Sequence, residues 1–279
     1  NEGSFRPVHI TAPEGCIFNP RRPAAVAGRH LVGHLLPSAV FGALARAVPE
    51  NIVAEGASAV WITQTHGVDL DDHHFTFVFF SMGGMGARPN KDGISNVGFP
   101  SGVAGVPVEA IESVSPLVLR KREMRPDSGG PGKYRGGLGQ DMRMAVRTRQ
   151  PYIVASMFEK MKFEPQGLLG GGPGARGDFQ LSTGERPNAK QQNTLPADVE
   201  VDLRLPGGGG YGNPFEREPL AVLEDVVMGY VSLESAARDY GVAIECTKAP
   251  DDLIALPEDY RIDWERTAAS GSRSPRSDV

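Results

Sequence analysis

His30 and His34, in the stretch GRHLVGH at residues 28 to 34, stand four positions apart. On a helix they share a face and can bind one metal ion. The residue after the first histidine is Leu31, not the glutamate of a metalloprotease, and no acid stands beside the pair as a third ligand. A metal or catalytic role therefore competes with a plainer one, polar residues at an interface or a helix start. In DLDDHHF, 69 to 75, the residues Asp69, Asp71, Asp72, His73 and His74 have the chemistry of metal ligands. Their spacing fits neither a calcium loop nor a two-histidine-one-carboxylate site, and a solvated turn suits the same composition. GGMGARPNKDG, 83 to 93, offers the backbone amides of Gly83, Gly84 and Gly86 to an anion, with Arg88 or Lys91 adding charge. No Gly-Lys-Ser/Thr follows, so it is not a P-loop, and Pro89, Asn90 and Gly93 argue against the helix a dinucleotide fingerprint needs. RPDSGGPGKYRGGLGQ, 125 to 140, sets Asp127, Lys133 and Arg135 among six glycines. It reads either as an anion site or as backbone that must come close to other backbone.

The elements that would position these residues are strand-rich first and helical last. Strands are expected over 7–11, 57–65, 74–81, 117–122 and within 141–158, where two alternating runs can pair as a hairpin across Arg149-Gln150-Pro151. The 74–81 run, HFTFVFFS, is aromatic and β-branched throughout and is expected to be a central, buried strand. A helix is expected over 38–48; Pro37 should interrupt any extension back to Arg29. Further Gly-rich loops fall at 165–177 and after the strand opening 199–214. Two helices follow, one in EPLAVLEDVVMGY and one in SLESAARDYGV, with Ser232 as N-cap and Gly229 and Gly241 at C-caps. The expected fold is α+β, a strand-rich mixed core with Gly-rich loops and a helical C-terminal segment. The expected division is a core over 1–214, a helical segment over 215–265 and an unstructured tail over 266–279.

Composition narrows the function classes. The 279 residues suffice for one large domain or two ordinary ones, and glycine (35) and proline (23) are both high. The net charge of −5 and the aromatic content of 7% argue against a nucleic-acid surface. No apolar run approaches the length of a membrane span. Two cysteines, Cys16 and Cys246, make no disulfide framework and fit a reducing cytoplasm. The opening NEGSFRPVHI has no signal-peptide pattern and reads as the middle of a domain. No Ser sits in a G-x-S-x-G elbow, which removes the support for a serine hydrolase.

RPDSGGPGKYRGGLGQ resembles the signature of the hydantoinase B / oxoprolinase family. FRPVHITAPEGCIFNPRRPAAV, FGALARAVP, GGMGARPNKDG, PVEAIE, PQGLLGGGPG, LPGGGGYGNP and VLEDVVMGYVSLESAARDYGV then follow in that family's order, over almost the whole chain. The resemblance implies a subunit of a cytoplasmic, ATP-dependent hydrolase of cyclic amides such as hydantoins, 5-oxoproline or lactams. It implies a partner subunit with an actin-like ATPase fold, which binds ATP and activates the amide oxygen. Related assemblies carboxylate acetone or acetophenone, which is the alternative enzymatic expectation. A non-catalytic scaffold for the ATPase partner is the third.

Members of the family are usually about twice this length, and their acidic and His-containing motifs lie in the first half. The resemblance therefore implies that this chain is the C-terminal half, a fragment or one part of a split subunit, with any divalent metal held by the missing N-terminal half. No metal ligands are carried onto this sequence. The candidate site residues are His30 and His34 for catalysis, with Arg29, Gly83, Gly84, Gly86, Arg88, Asp127 and Arg135 for substrate.

Overall fold

A computed structural model of the chain describes residues 3, 6–26, 28–58, 60–248 and 254–270. Eight strands in two antiparallel sheets carry the main core. The first sheet has the order β2(His74–Ser81), β1(Trp61–Val68), β5(Tyr152–Met157), β7(Gln192–Leu195). The second has the order β3(Leu117–Met124), β4(Gln140–Val146), β8(Val201–Arg204), β6(Asp178–Leu181). In β4, β5 and β8 every second side chain is buried, the two-residue period of strands with one face on a core. Trp61, Phe79, Tyr152 and Val154 from the first sheet join Leu117, Met142, Phe179 and Leu203 from the second in one cluster. Trp61 stacks on Phe158 with ring centroids 4.3 Å apart, and Phe158 meets Phe179 edge-on at 5.3 Å.

The helices are α1(Arg29–Leu44), α2(Val108–Val114), α3(Pro219–Val227), α4(Leu233–Tyr240) and α5(Trp264–Ser270). A short pair, β9(Ile244–Cys246) with β10(Tyr260–Ile262), packs beside α3 and α4 on a second small cluster of Val222, Val226, Ala236 and Tyr240. Ser232 Oγ accepts the amide of Ser235 to cap α4, and Gly241 closes it at φ +70°, where a side chain would be strained.

Several local expectations need correction. Residues 8–13 form no strand; they are exposed, so their alternation has no core to face. The strand expected from residue 57 starts at Trp61. β2 is an edge strand, not a central one: among the described residues it pairs with β1 alone, and His74, Thr76, Val78 and Phe80 face outward. β4 and β5 do not form a hairpin. β4 is paired on both edges by β3 and β8, and β5 by β1 and β7, so neither has an edge free. The link between them crosses from sheet to sheet, and its Thr148 hydroxyl donates to Val68 O at 2.6 Å. α1 begins at Arg29 and runs through Pro37. One lost amide is tolerated there because His34 is buried on the inner face and Ser38 bonds Ser58. In the expected tail, α5 extends to Ser270, with Asp263 Oδ1 accepting the amide of Arg266 at its start. Residues 271–279 lie outside the described residues.

Candidate functional site

The Gly-rich stretches converge into one hydrogen-bonded bundle that is neither helix nor sheet. Its axis is residues 207–212. Six successive amides donate in turn to Ala175 O (3.1 Å), Gly137 O (2.8 Å), Glu55 O (2.8 Å), Gly172 O (2.9 Å), Tyr134 O (2.9 Å) and Leu168 O (2.9 Å). Two of the three pairs of donors three apart reach the same neighbouring segment, 207 and 210 the 172–175 run and 208 and 211 the 134–137 run, while 209 and 212 reach Glu55 and Leu168 on different segments. A period of three is the repeat of an extended polyproline-type chain, which makes no bonds within itself and must bond outward. Buried backbone groups need such partners, and this packing supplies them without side chains in between.

Close packing explains the glycines. A Cβ on Gly84 would fall on the carbonyl oxygen of Gly137, one on Gly208 on that of Met85, and one on Gly86 on that of Ala54. A Cβ on Gly83 would strike Pro206 O. Four amides at the start of the 83–93 loop are used in the same way. Gly84 N donates to Pro206 O, Met85 N to Ile94 O, Ala87 N to Gly209 O and Arg88 N to Lys91 O. These four donors face the protein's own carbonyls, not an anion.

Arg88, Asp127 and Arg135 are also bonded within the fold. Arg88 donates from Nε and Nη2 to Asp92 O, at 3.2 and 2.7 Å. Asp127 sits at φ +57°; its amide donates to Tyr230 O (3.0 Å) and its Oδ1 accepts the amide of Ser232 (2.8 Å), which ties the bundle to the start of α4. Arg135 is buried. Its Nη1 donates to Gly136 O (2.8 Å), its Nε lies 3.2 Å from Asp225 Oδ1, and its guanidinium carbon lies 5.2 Å from the centre of the Tyr230 ring. The Nε contact is an ion pair without hydrogen-bond geometry, so this N–H is left buried and unbonded.

Arg135 belongs to a charge network that the sequence did not single out. Arg217 holds Asp92 through two bonds of 2.8 Å and Asp225 through one of 2.7 Å. The amide of Arg135 donates to Asp92 Oδ1 at 2.7 Å. For Asp92, burial pushes its pKa up, but the hydrogen bonds and charge of Arg217 and the charge of Arg135 outweigh it and hold the carboxyl below the usual range. For Arg217, burial pulls the pKa down, and the two carboxylates outweigh it and raise it. The signal for Asp225 is present in the sequence: it lies on the same stripe of α3 as the buried Val222 and Val226, an acid at a core position. A cavity of about 690 Å³ opens beside the network, and Lys133, Arg135, Glu216, Arg217 and Glu224 are among the residues that line it.

His30 and His34 lie elsewhere, on α1. His30 and Arg29 are exposed; His34 is buried, and its Nδ1 has no hydrogen-bond partner among the described residues. Burial, and then the neighbouring His30, lower the His34 pKa, so the ring is neutral near pH 7. One turn on, Ser38 Oγ meets Ser58 Oγ at 2.6 Å. Ser58 in turn donates to Gly56 O, on the strip whose Ala57 amide bonds Gly84 O. Glu55 on that strip pairs with the half-buried Lys160. So the structure joins Gly83, Gly84, Gly86, Arg88, Asp127 and Arg135 in one bundle, and sets Arg29, His30 and His34 on a helix outside it. In the 69–75 turn, Asp69 Oδ1 accepts the amides of Asp71 and His73, both at 2.9 Å. No group of three or more His, Cys, Asp or Glu that could hold a metal occurs among the described residues.

The chain has known relatives. It is 30% identical over 264 residues to the caprolactamase subunit beta of Pseudomonas jessenii, covering 88% of this chain and 45% of that protein. Its fold matches the crystal structure of ATP-dependent caprolactamase from the same organism with a TM-score of 0.78 at 24% identity, over 95% of this chain and 46% of that one. It also matches a nucleotide-free acetone carboxylase, from a study of ATP-dependent acetone carboxylation, with a TM-score of 0.66 at 25% identity, over 81% and 34%. The chain spans less than half the length of each of these relatives. The family model described as hydantoinase B/oxoprolinase matches residues 1–214, the part that contains both sheets and the whole glycine bundle, and the chain belongs to that family.

Proposed function

We propose that this chain is part of a cytoplasmic subunit that opens cyclic amides, hydantoin, 5-oxoproline or lactam rings, in an ATP-dependent reaction. The observation that carries this reading is the family match over residues 1–214, with the fold likeness to an ATP-dependent caprolactamase beside it. An amide carbon resists attack by water. Transfer of the γ-phosphoryl group to the amide oxygen makes that carbon a better electrophile. Water then adds, the ring C–N bond breaks, and ring-opened acid, ADP and phosphate leave. In this reading an actin-like ATPase subunit binds ATP and carries out the phosphoryl transfer. In the same reading, a divalent metal is held by an N-terminal part of the longer subunit, as the family resemblance implies, and this chain's own residues are given no ligand role.

Within this chain, the glycine bundle with Arg88, Asp127 and Arg135 serves as scaffold, each of these three side chains being bonded within the fold. His34 and His30 are the candidates for catalysis, with Arg29 exposed beside them for an anionic group. A neutral imidazole can accept a proton from attacking water. A second reading, a ketone carboxylase subunit, is favoured by the likeness to acetone carboxylase.

The test is ring opening by the complete assembly of this chain, its N-terminal half and the ATPase subunit, followed by mass spectrometry. The panel is hydantoins, 5-oxoproline and lactams. The expected result is a ring-opened acid formed only with ATP and only with every part present. No product from any cyclic amide contradicts the hydrolase reading, and a carboxylated ketone formed only with bicarbonate establishes the second.

A further inference from the structure

The surface of α1 and the loop before it is apolar and basic, and among the described residues it stands largely exposed. Apart from Arg29, His30, His34 and Ser38, α1 is built of apolar residues and glycine. A helix apolar on all sides is normally buried on all sides. Here the inner face is buried at His34, while Leu36, Val40 and Leu44 stand 45%, 46% and 44% exposed at intervals of four. They make a stripe about 12 Å long down the outer face. At its N-terminal end the stripe continues into a cavity of about 350 Å³ lined by Ile17, Phe18, Val26 and Val32. Ile17 and Phe18 are 71% and 52% exposed. Contiguous exposed apolar patches of this kind mark interaction sites.

Charge narrows the occupant. The chain carries a net −5, yet residues 15–49 hold four arginines and no acid. Arg21 pairs with Glu14, whereas no ion pair engages Arg22, Arg29 or Arg46 among the described residues. A second copy of this chain would bring these arginines against each other. A helix seated on a lipid surface has a face rich in Lys and Arg, and α1 has only Arg29 at its start and Arg46 just beyond its end. A protein surface with an apolar centre and an acidic rim fits both features.

We infer that this surface seats the polypeptide that completes the subunit to the length of its relatives, and that the seat on that polypeptide is apolar and rimmed by Asp or Glu. The inference rests on the reading of this chain as part of a longer subunit. That reading is supported by the caprolactamase structure, which matches 95% of this chain with only 46% of its own.

The experiment uses this chain and the polypeptide that completes the subunit, mixed and separate, read by hydrogen exchange and by binding. The expected result is at least tenfold slower exchange at residues 29–48 in the complex. A triple variant, Leu36→Gln, Val40→Gln, Leu44→Gln, keeps the melting curve of the isolated chain and binds at least tenfold more weakly. Arg22→Glu with Arg46→Glu weakens binding in low salt and loses that effect in high salt. Protection that appears elsewhere, such as the outer face of β2, overturns the inference, as does undiminished binding by the triple variant. So does self-association of the isolated chain through these residues, or their protection by phosphatidylserine vesicles and not by the polypeptide. Ring opening is assayed on the same complex. A correct footprint without turnover contradicts the proposed activity and leaves this surface intact; turnover without the footprint does the reverse.

Discussion

Gly84 shows at residue scale what the Gly-rich motifs do. Its Cα packs against Gly137 O, and its amide is bonded to Pro206 O. Neither neighbour is a side chain that can swing away, so Gly84→Ala must move backbone. Overpacking of a core costs about 1–3 kcal/mol; with backbone on every side, the expected loss is at or above the top of that range. Gly33→Ala is the control. Gly33 lies inside α1 with nothing within 4 Å of the position a Cβ would take, so the substitution should raise stability by about 0.5–1 kcal/mol. Urea denaturation of the two variants checks both signs. Equal, small effects would mean that the glycines at the crossings are not needed for packing. The Gly-rich stretches were legible in the sequence as backbone that comes close to other backbone, one of the two readings given for 125–140, but which segments meet was not. Composition says that backbone approaches something closely; it does not say whether the something is a phosphate or another strand of the same chain.

At the scale of elements, the clasp between the bundle and the C-terminal helices carries the clearest energetic consequence. Arg217 answers two carboxylates at once, Asp92 from the bundle and Asp225 from α3. Arg217→Ala leaves both without their main partner, and removal of one member of a buried pair costs about 3–5 kcal/mol. The pH dependence follows from Asp92. Its folded pKa is depressed, so its stabilisation is fully present above the unfolded value of about 3.9 and is lost as pH falls through the folded value. Asp92→Asn should therefore be least stable relative to the parent at neutral pH, and the gap should close below about pH 4. Thermal melts of both proteins from pH 3 to 7 measure it; a gap independent of pH would show that the carboxylate charge is not what holds the clasp. Strands β2, β3, β4 and β5 and the caps of α4 were legible because their signals are local: two-residue alternation, a serine before a helix, a glycine after it. The pairing of β4 with β8 and of β5 with β1 was not, because a hairpin is the default for neighbours in sequence and only the whole sheet decides otherwise. The ion cluster was missed for the same reason, since its members stand up to 133 positions apart, from Asp92 to Asp225.

At the scale of the molecule, two β-sheets share a core, the Gly-rich segments form a bundle beside them, and helices clasp its C-terminal side. The family was legible from the order of several long motifs, though no single loop would have identified it. The histidines of α1 were legible as residues; their position on a helix outside the bundle was not, because Pro37 read as a break. What organises the whole is the bundle, in which the Gly-rich fingerprints pack backbone against backbone. The most direct test is amide hydrogen exchange at residues 207–212, followed by NMR with and without ATP or inorganic phosphate. The account predicts exchange as slow as in the core strands, limited by global unfolding and unchanged by either anion. Exchange at the rate of an open loop, or protection that appears only when the anion is added, would contradict it and return these glycines to the role of a phosphate cradle.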